Sequence, residues 1–212
     1  SPSQKQQMLG QLEAAMQEVL VPDTRRIKAA TRFISQCLKL PQSMMILFRV
    51  LQQSNHAAIR QMSAVFLRRK VSSHWSELPA ATQDGALGML LQRLRTEPTK
   101  IVKKAIASAI AAVGKYKTNN GGNCNSIFQF MISASSSPNP VDREMSMLLF
   151  YFLGGEVGDS PEMASHHDAL RNLFVKCLQD SVVDVKLMAL KAISQLVEHL
   201  NGTEEVLGFQ SA

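Results

Sequence analysis

Ala57-Ala58-Ile59-Arg60-Gln61-Met62-Ser63-Ala64-Val65-Phe66-Leu67-Arg68-Arg69-Lys70, with His74-Trp75 close behind, is the stretch whose reading decides the fold. It predicts one helix. Ile59, Met62, Val65 and Phe66 recur at the i, i+3, i+6, i+7 spacing of an amphipathic helix, and Leu67 and Val71 add apolar surface beside them. The narrow strip that remains carries Arg60, Gln61, Ala64 and Arg68. A helix apolar over most of its girth has to be packed on more than one side. The inner helix of a stacked helical hairpin meets that condition, with its partner on one side and neighbouring repeats on the others.

The same cadence runs in both directions from this stretch. Towards the N-terminus a helix from Gln4 to Leu20 is followed by Pro22-Asp23-Thr24, where Asp23 or Thr24 supplies an N-cap, and by a helix through Ile27, Phe33, Ile34 and Leu38. Pro41 opens a third helix, and Ser54-Asn55-His56 is a short turn before the deciding one. Towards the C-terminus, Pro79 opens a helix through Leu94, and Thr96-Glu97-Pro98-Thr99 turns it into another through Ile110. A loop over Thr118–Asn123, a segment around Phe128, a second loop over Ser135–Pro140 and a helix through Phe152 follow. Gly154-Gly155 and Gly158 are expected to end that helix, and Pro161 to open the last hairpin, which turns at Asp180-Ser181.

The reading is of five helical hairpins, covering about 4–38, 41–75, 79–117, 122–158 and 161–200 in one continuous domain over 1–212. Four of the second helices share an apolar residue followed by a cation near the start: Ile27-Lys28, Ile59-Arg60, Val102-Lys103 and Val185-Lys186. The fourth hairpin departs, with Arg143-Glu144 at that place. The cations are 32, 43 and 83 residues apart, the last being two repeats of about 41. A period of roughly 40 to 47 with two helices per repeat is that of HEAT and armadillo solenoids, so the expected fold is an all-α, α-α superhelix. Acid or amide groups precede most of these cations by five or six residues: Asp23, Asn55, Glu97 and Asp180. They are expected to pair with basic residues of neighbouring repeats in a ladder. Lys28, Arg60, Lys103 and Lys186 are assigned to that ladder, which leaves Arg32, Gln61, Arg68 and Lys104 for a partner.

The totals agree with a helical protein. Hydrophobic residues are 45% of 212 and aromatics only 6%, and Val and Ile never alternate cleanly. The net charge of +6 reads either as ordinary solvated surface or as the mark of an acidic partner, protein or nucleic acid. Three widely spaced cysteines point to reduced thiols: Cys37 and Cys177 as small core residues, Cys124 exposed in a polar loop. No apolar run of membrane-spanning length occurs and no secretory signal is seen, so no membrane role is expected. Ser1-Pro2-Ser3 lacks a methionine and reads as a scar. Asn201-Gly202-Thr203 and Gly208-Phe209-Gln210 read as a connection to a further repeat, as in a chain cut from a longer solenoid.

No catalytic, metal or cofactor constellation emerges. His166-His167 with Cys177 lacks a second thiol, and adjacent histidines point apart on a helix. Gly154-Gly155-Glu156-Val157-Gly158 lacks the strand before it and the Lys-Ser/Thr after it that a phosphate loop needs. Trp75 reads as an anchor for the turn after the deciding helix rather than a base-stacking platform.

Ile59-Arg60-Gln61-Met62-Ser63-Ala64-Val65-Phe66-Leu67-Arg68-Arg69-Lys70 with His74-Trp75 resembles the N-terminal signature of importin-β-type nuclear transport receptors (karyopherins). Leu20-Val21-Pro22-Asp23-Thr24, Asp142-Arg143-Glu144-Met145, Lys176-Cys177-Leu178-Gln179-Asp180 and Ala189-Leu190-Lys191-Ala192 resemble the importin-4 branch in matching order. The resemblance implies the N-terminal HEAT repeats of a nuclear import receptor. Such repeats bind the small GTPase Ran in its GTP form on their inner, concave helices. Their outer helices bind nucleoporin Phe-Gly repeats, and cargo, here histones or ribosomal proteins, is released when Ran-GTP binds. Carried onto this chain, Arg60, Gln61, Ala64 and Arg68, flanked by Arg32 and Lys104, are the Ran-binding candidates. The fragment is basic, so basic cargo is expected to prefer other repeats, and no direct nucleic-acid contact is expected. The implied location is cytoplasm and nucleus, with the nuclear envelope and pore. Two other classes share some of these features: a non-transport HEAT or armadillo scaffold, and a HEAT-like DNA glycosylase, which needs an acid and aromatics in a groove.

Overall fold

Short polar turns cut the sequence into segments of one helix each. In the computed structural model, which describes residues 2–40, 42–157 and 165–200, these become ten α-helices with no strand among the described residues. They are α1 (Pro2–Val19), α2 (Thr24–Cys37), α3 (Ser43–Gln53), α4 (Ala57–His74), α5 (Ala80–Thr96), α6 (Lys100–Asn119), α7 (Asn125–Ser135), α8 (Pro140–Val157), α9 (His167–Leu178) and α10 (Val183–Leu200). A 3₁₀ turn, Trp75–Glu77, follows α4.

The helices fall into two compact units. The first holds residues 1–89 and 97–109, the second 90–96 and 110–212, so α5 and α6 each contribute to both. In the first unit α1 packs on α2 and α3 on α4, and α1 also meets α3 and α4. In the second, α7 packs on α8 and α9 on α10; first helix meets first helix (α7 on α9) and second meets second (α8 on α10). This like-on-like stacking supplies the apolar partners that a lone hairpin lacks. Leu12, Met16, Met44, Leu47, Leu51, Ile59 and Leu67 are sealed in the first unit, and Phe128, Met131, Leu149, Phe150, Val185 and Ala189 in the second.

The local signals behave as their chemistry requires. Asp23, with extended backbone, caps α2: its carboxylate accepts from the N–H groups of Arg25 and Arg26. Trp75 is fully buried at the turn after α4, and Gln83 Nε2 donates to the carbonyls of Trp75 and Leu78. A buried indole cannot stack on a base, which removes the one Trp a glycosylase reading had to offer. Gly121, at φ +72°, stands just past α6. There the N–H groups of Gly121 and Gly122 return to the carbonyls of Thr118 and Lys117.

Several expectations are corrected. Helix α8 runs through Gly154-Gly155 to Val157 instead of ending at them, because packing on α7 and α10 outweighs the weak helix propensity of two glycines. It also begins at Pro140, inside the expected loop, since proline suits a helix's first position. Cys124 is buried, not exposed: its Sγ donates to the Gly114 carbonyl at 3.3 Å and lies 3.4 Å from Thr118 Oγ1. The expected roles of Pro41, Gly158, Pro161, Asn201-Gly202-Thr203 and Gly208-Phe209-Gln210 lie outside the described residues.

The deciding helix itself is rotated from its expected register. Its buried line is Ile59, Ser63, Leu67 and Val71, with Arg60 and Ala64 beside it, while Met62, Val65 and Phe66 are only half-buried. At about 100° per residue this is a turn of roughly a third of the circumference. Ser63 and Ala64 are small enough for neighbouring backbones to approach closely, and Arg60 is neutralised within the fold. The polar strip of the sequence reading was therefore half core.

Candidate functional site

Position 60 shows how the interior accepts a charge. Arg60 Nε and Nη2 donate to the two carboxylate oxygens of Glu97, each at 2.9 Å, and Nη1 donates to the Ser54 carbonyl at 3.0 Å. Glu97 also accepts from the Thr99 N–H at 3.1 Å, so it caps the start of α6 while it grips α4. Both side chains are buried. A fork-to-fork pair is strong and directional. Hydrogen bonding to Glu97, more than burial, sets the balance and raises the Arg60 pKa further above its ordinary value. Such a pair fixes the register between two hairpins more than it adds net stability.

The arrangement recurs 83 residues later. Arg143 Nε and Nη2 donate to the carboxylate of Asp180, and Nη1 donates to the carbonyls of Ser137 and Pro138. Asp180 also accepts from the Val182 N–H at 2.9 Å. Arg143 holds the carboxyl of Asp180 down at about 2, against the ordinary 3.8. Even the serine one turn on is repeated: Ser63 and Ser146 are both fully buried, and Ser146 Oγ donates to the Met131 carbonyl. Arg-x-Met-Ser, with a serine six residues before it and an acid 37 residues after it, is the sequence form of the motif.

The ladder is thus real, with a changed membership. Arg60 belongs to it as expected. The fourth hairpin, read as the exception, supplies its other fully drawn rung through Arg143. The missed signal was the repeated Arg-x-Met-Ser, hidden because Asp142 stands where the other helices have an apolar residue. Lys28 is exposed, away from any such pair, and Lys103 is buried near the Arg60 level of its own helix.

The candidate partner-binding residues divide accordingly. Ala64 is fully buried and Arg60 is 6% exposed and committed to Glu97, so neither presents a surface to another protein; this corrects both assignments. Arg32 on α2, Arg68 on α4 and Lys104 on α6 are exposed, and Gln61 is half-exposed. None of these four makes a hydrogen bond or ion pair among the described residues. Gln61 and Arg68, seven residues apart, share one line of α4. His166, of the pair considered for a metal, lies with its ring 4.7 Å from that of Phe128, and no group of three or more His, Cys, Asp or Glu that could hold a metal occurs among the described residues. No described helix is long and apolar enough to cross a membrane.

A family model described as "Importin-beta N-terminal domain" matches residues 30–96, and one described as "IPO5-like, TPR repeats" matches residues 98–211, more than half of the chain. The chain belongs to the importin-β family. Among curated importins it is 30% identical over 139 residues to the probable importin subunit beta-4 of Schizosaccharomyces pombe, covering 65% of this chain and 13% of that one. It is 28% identical over 192 residues to mouse importin-4, covering 88% and 17%. The importin-4 likeness is therefore present at low identity, and the chain spans less than a fifth of these relatives. Among solved importins the fold matches Kap121p with a TM-score of 0.75 at 17% identity, over 94% of this chain and 19% of that one. It matches yeast importin-β, Kap95p, at 0.73 and 16%, over 93% and 25%. A Kap95:Nup1 complex matches at 0.73 and 16%, over 96% and 25%. The all-α HEAT-repeat solenoid fold is the one these importins share.

Proposed function

We propose that this chain is the N-terminal part of a nuclear import receptor and binds Ran in its GTP form. The match of residues 30–96 to the importin-β N-terminal domain carries the reading. The exposed Arg32, Arg68 and Lys104 and the half-exposed Gln61, all on the second helices, are its contact candidates. They are long polar or charged side chains that make no hydrogen bond or ion pair among the described residues, the type that reads a partner's surface and sets its on-rate. The role is one of binding, not catalysis. The 212 residues act as one run of repeats.

Nucleoporin Phe-Gly repeats are proposed as a second partner class, on the other set of helices. Ile132 on α7 and Val175 on α9 stay exposed on helices that pack against each other, and an aromatic side chain gains by covering them. Basic cargo such as histones or ribosomal proteins belongs to the whole receptor, as does shuttling between cytoplasm and nucleus through the pore. The test is a pull-down of the chain with GTP-locked and GDP-loaded Ran. Selective capture of the GTP form, weakened by Arg68→Glu with Lys104→Glu, is expected. Equal or absent capture of both forms overturns the reading.

A further inference from the structure

The positive charge of this protein is concentrated in one place. Residues 24–76, which span α2, α3 and α4, contain ten of the 23 Lys and Arg and none of the 17 Asp and Glu. The rest of the chain is net negative, with 13 cations against 17 acids, so the balance of +6 originates wholly in this stretch. Two of the ten are neutralised by acids from outside it: Arg60 by Glu97, and Arg26 by Glu18. Arg25, Lys28, Arg32, Lys39, Arg49, Arg68 and Arg69 are exposed and make no ion pair among the described residues.

On α2 these cations are ordered. The helix buries Ala30, Ile34 and Cys37, one line at i, i+4, i+7. Arg25, Lys28 and Arg32 lie opposite that line, within an arc of about 60° at 100° per residue, and span about 10 Å along the axis. Three like charges in a row repel one another, and the N-cap acid Asp23, which bonds backbone N–H groups, makes no ion pair with any of the three among the described residues. Ligand anions placed along the row release that repulsion and gain the attraction of all three. The row on α2 offers no fully exposed aromatic face for base stacking: the half-buried Phe33 is the only aromatic on that helix. The row also follows an α-helix rather than a glycine-rich loop that could wrap a phosphate.

We propose that the exposed face of α2, Arg25, Lys28 and Arg32, is a docking surface for an extended acidic protein segment rich in Asp and Glu. The attraction is charge-driven, so it weakens with salt over the range where the screening length drops below the spacing of the charges. This surface adds a partner beyond the proposed GTPase contact, and two of its three residues lie outside that contact.

The experiment is fluorescence anisotropy on the full chain, with a labelled twelve-residue Asp/Glu peptide, the same length of mixed-charge peptide, and a single-stranded DNA of twelve nucleotides. Binding of the acidic peptide at low salt is expected, lowered about tenfold or more by Arg25→Glu with Lys28→Glu. Arg171→Glu with Lys191→Glu changes the net charge by the same amount on exposed residues of α9 and α10 and is expected to move the affinity less than about threefold. Equal losses in the two double variants overturn the proposal, since they report net charge and not this surface. So does DNA binding as tight as that of the acidic peptide. Neither substitution on α2 touches the core, and unchanged helical circular dichroism checks the fold. Capture of Ran-GTP is expected to survive Arg25→Glu with Lys28→Glu, so failure here and failure of the Ran reading are separable.

Discussion

A buried charge stays charged only if the fold gives it a partner, and Asp180 shows what that does to its acid. Two donors from Arg143 lead in lowering its pKa to about 2 from the ordinary 3.8; burial opposes them, and the Val182 N–H adds to them. A carboxyl depressed in the folded state contributes its full stabilisation above pH about 4 and loses it as the pH falls towards about 2. The shift corresponds to on the order of 2 kcal/mol. Asp180→Asn is expected to lower stability by roughly that amount at neutral pH and to flatten the dependence between about pH 5 and 2. Urea unfolding at stepped pH measures both, and an acid limb as steep in the variant as in the native chain contradicts the assignment. At this scale the sequence was only partly legible. Glu97 and Asp180 were found from their spacing, but Arg143 was passed over and Ala64 was taken for surface. Burial of one residue is decided by which neighbours reach it, and that is not written in the residue.

At the scale of the helix, termini were read better than faces. Asp23 caps α2 as its chemistry predicts, and the turn at Ser54-Asn55-His56 stands. The end of α6 rests on a left-handed residue, Gly121 at φ +72°, which closes the 6→1 and 5→2 hydrogen bonds of a Schellman motif. Gly121→Ala is expected to cost about 1 kcal/mol, because a Cβ there meets the following carbonyl. Gly85, in the exposed middle of α5, has open space where its Cβ would go, so Gly85→Ala is expected to add about 0.5–1 kcal/mol. Thermal unfolding of the two variants compares the same chemical change with opposite signs, and a gain at Gly121 rejects the left-handed cap. The rotation of α4 has another cause. Three half-buried apolar side chains, Met62, Val65 and Phe66, outweighed Ser63 and Ala64 in the sequence pattern, although the small pair is fully buried.

For the molecule as a whole, each unit shares two features: first helices meet, α1 on α3 and α7 on α9, and one bidentate ladder pair ties successive hairpins. Helix α10 buries Val185, Ala189 and Ala192, yet leaves Val183, Leu187, Leu190 and Val197 exposed at i, i+4, i+7 and i+14. That is an apolar stripe along one whole helix, and soluble chains seldom leave one uncovered. The chain is expected to self-associate with rising concentration in sedimentation velocity. Leu187→Lys with Leu190→Lys is expected to weaken this about tenfold or more, since each apolar side chain covered contributes roughly 1–2 kcal/mol. Their exposure means the unfolding midpoint should scarcely move. A native chain that stays monomeric throughout removes the stripe as an association surface.

The fold class was within the reach of the sequence alone, because apolar spacing, turn chemistry and a period near 40 are local or periodic properties that survive without coordinates. So was the importin-β likeness. The tertiary structure alone decided which face of each helix is inside, which arginines are bound by acids 37 residues away, and therefore which cations are left to meet a partner. The physical reason is that a charge is free or spent according to contacts made across hairpins, and those contacts depend on helix rotation, which the pattern of apolar residues constrains only loosely.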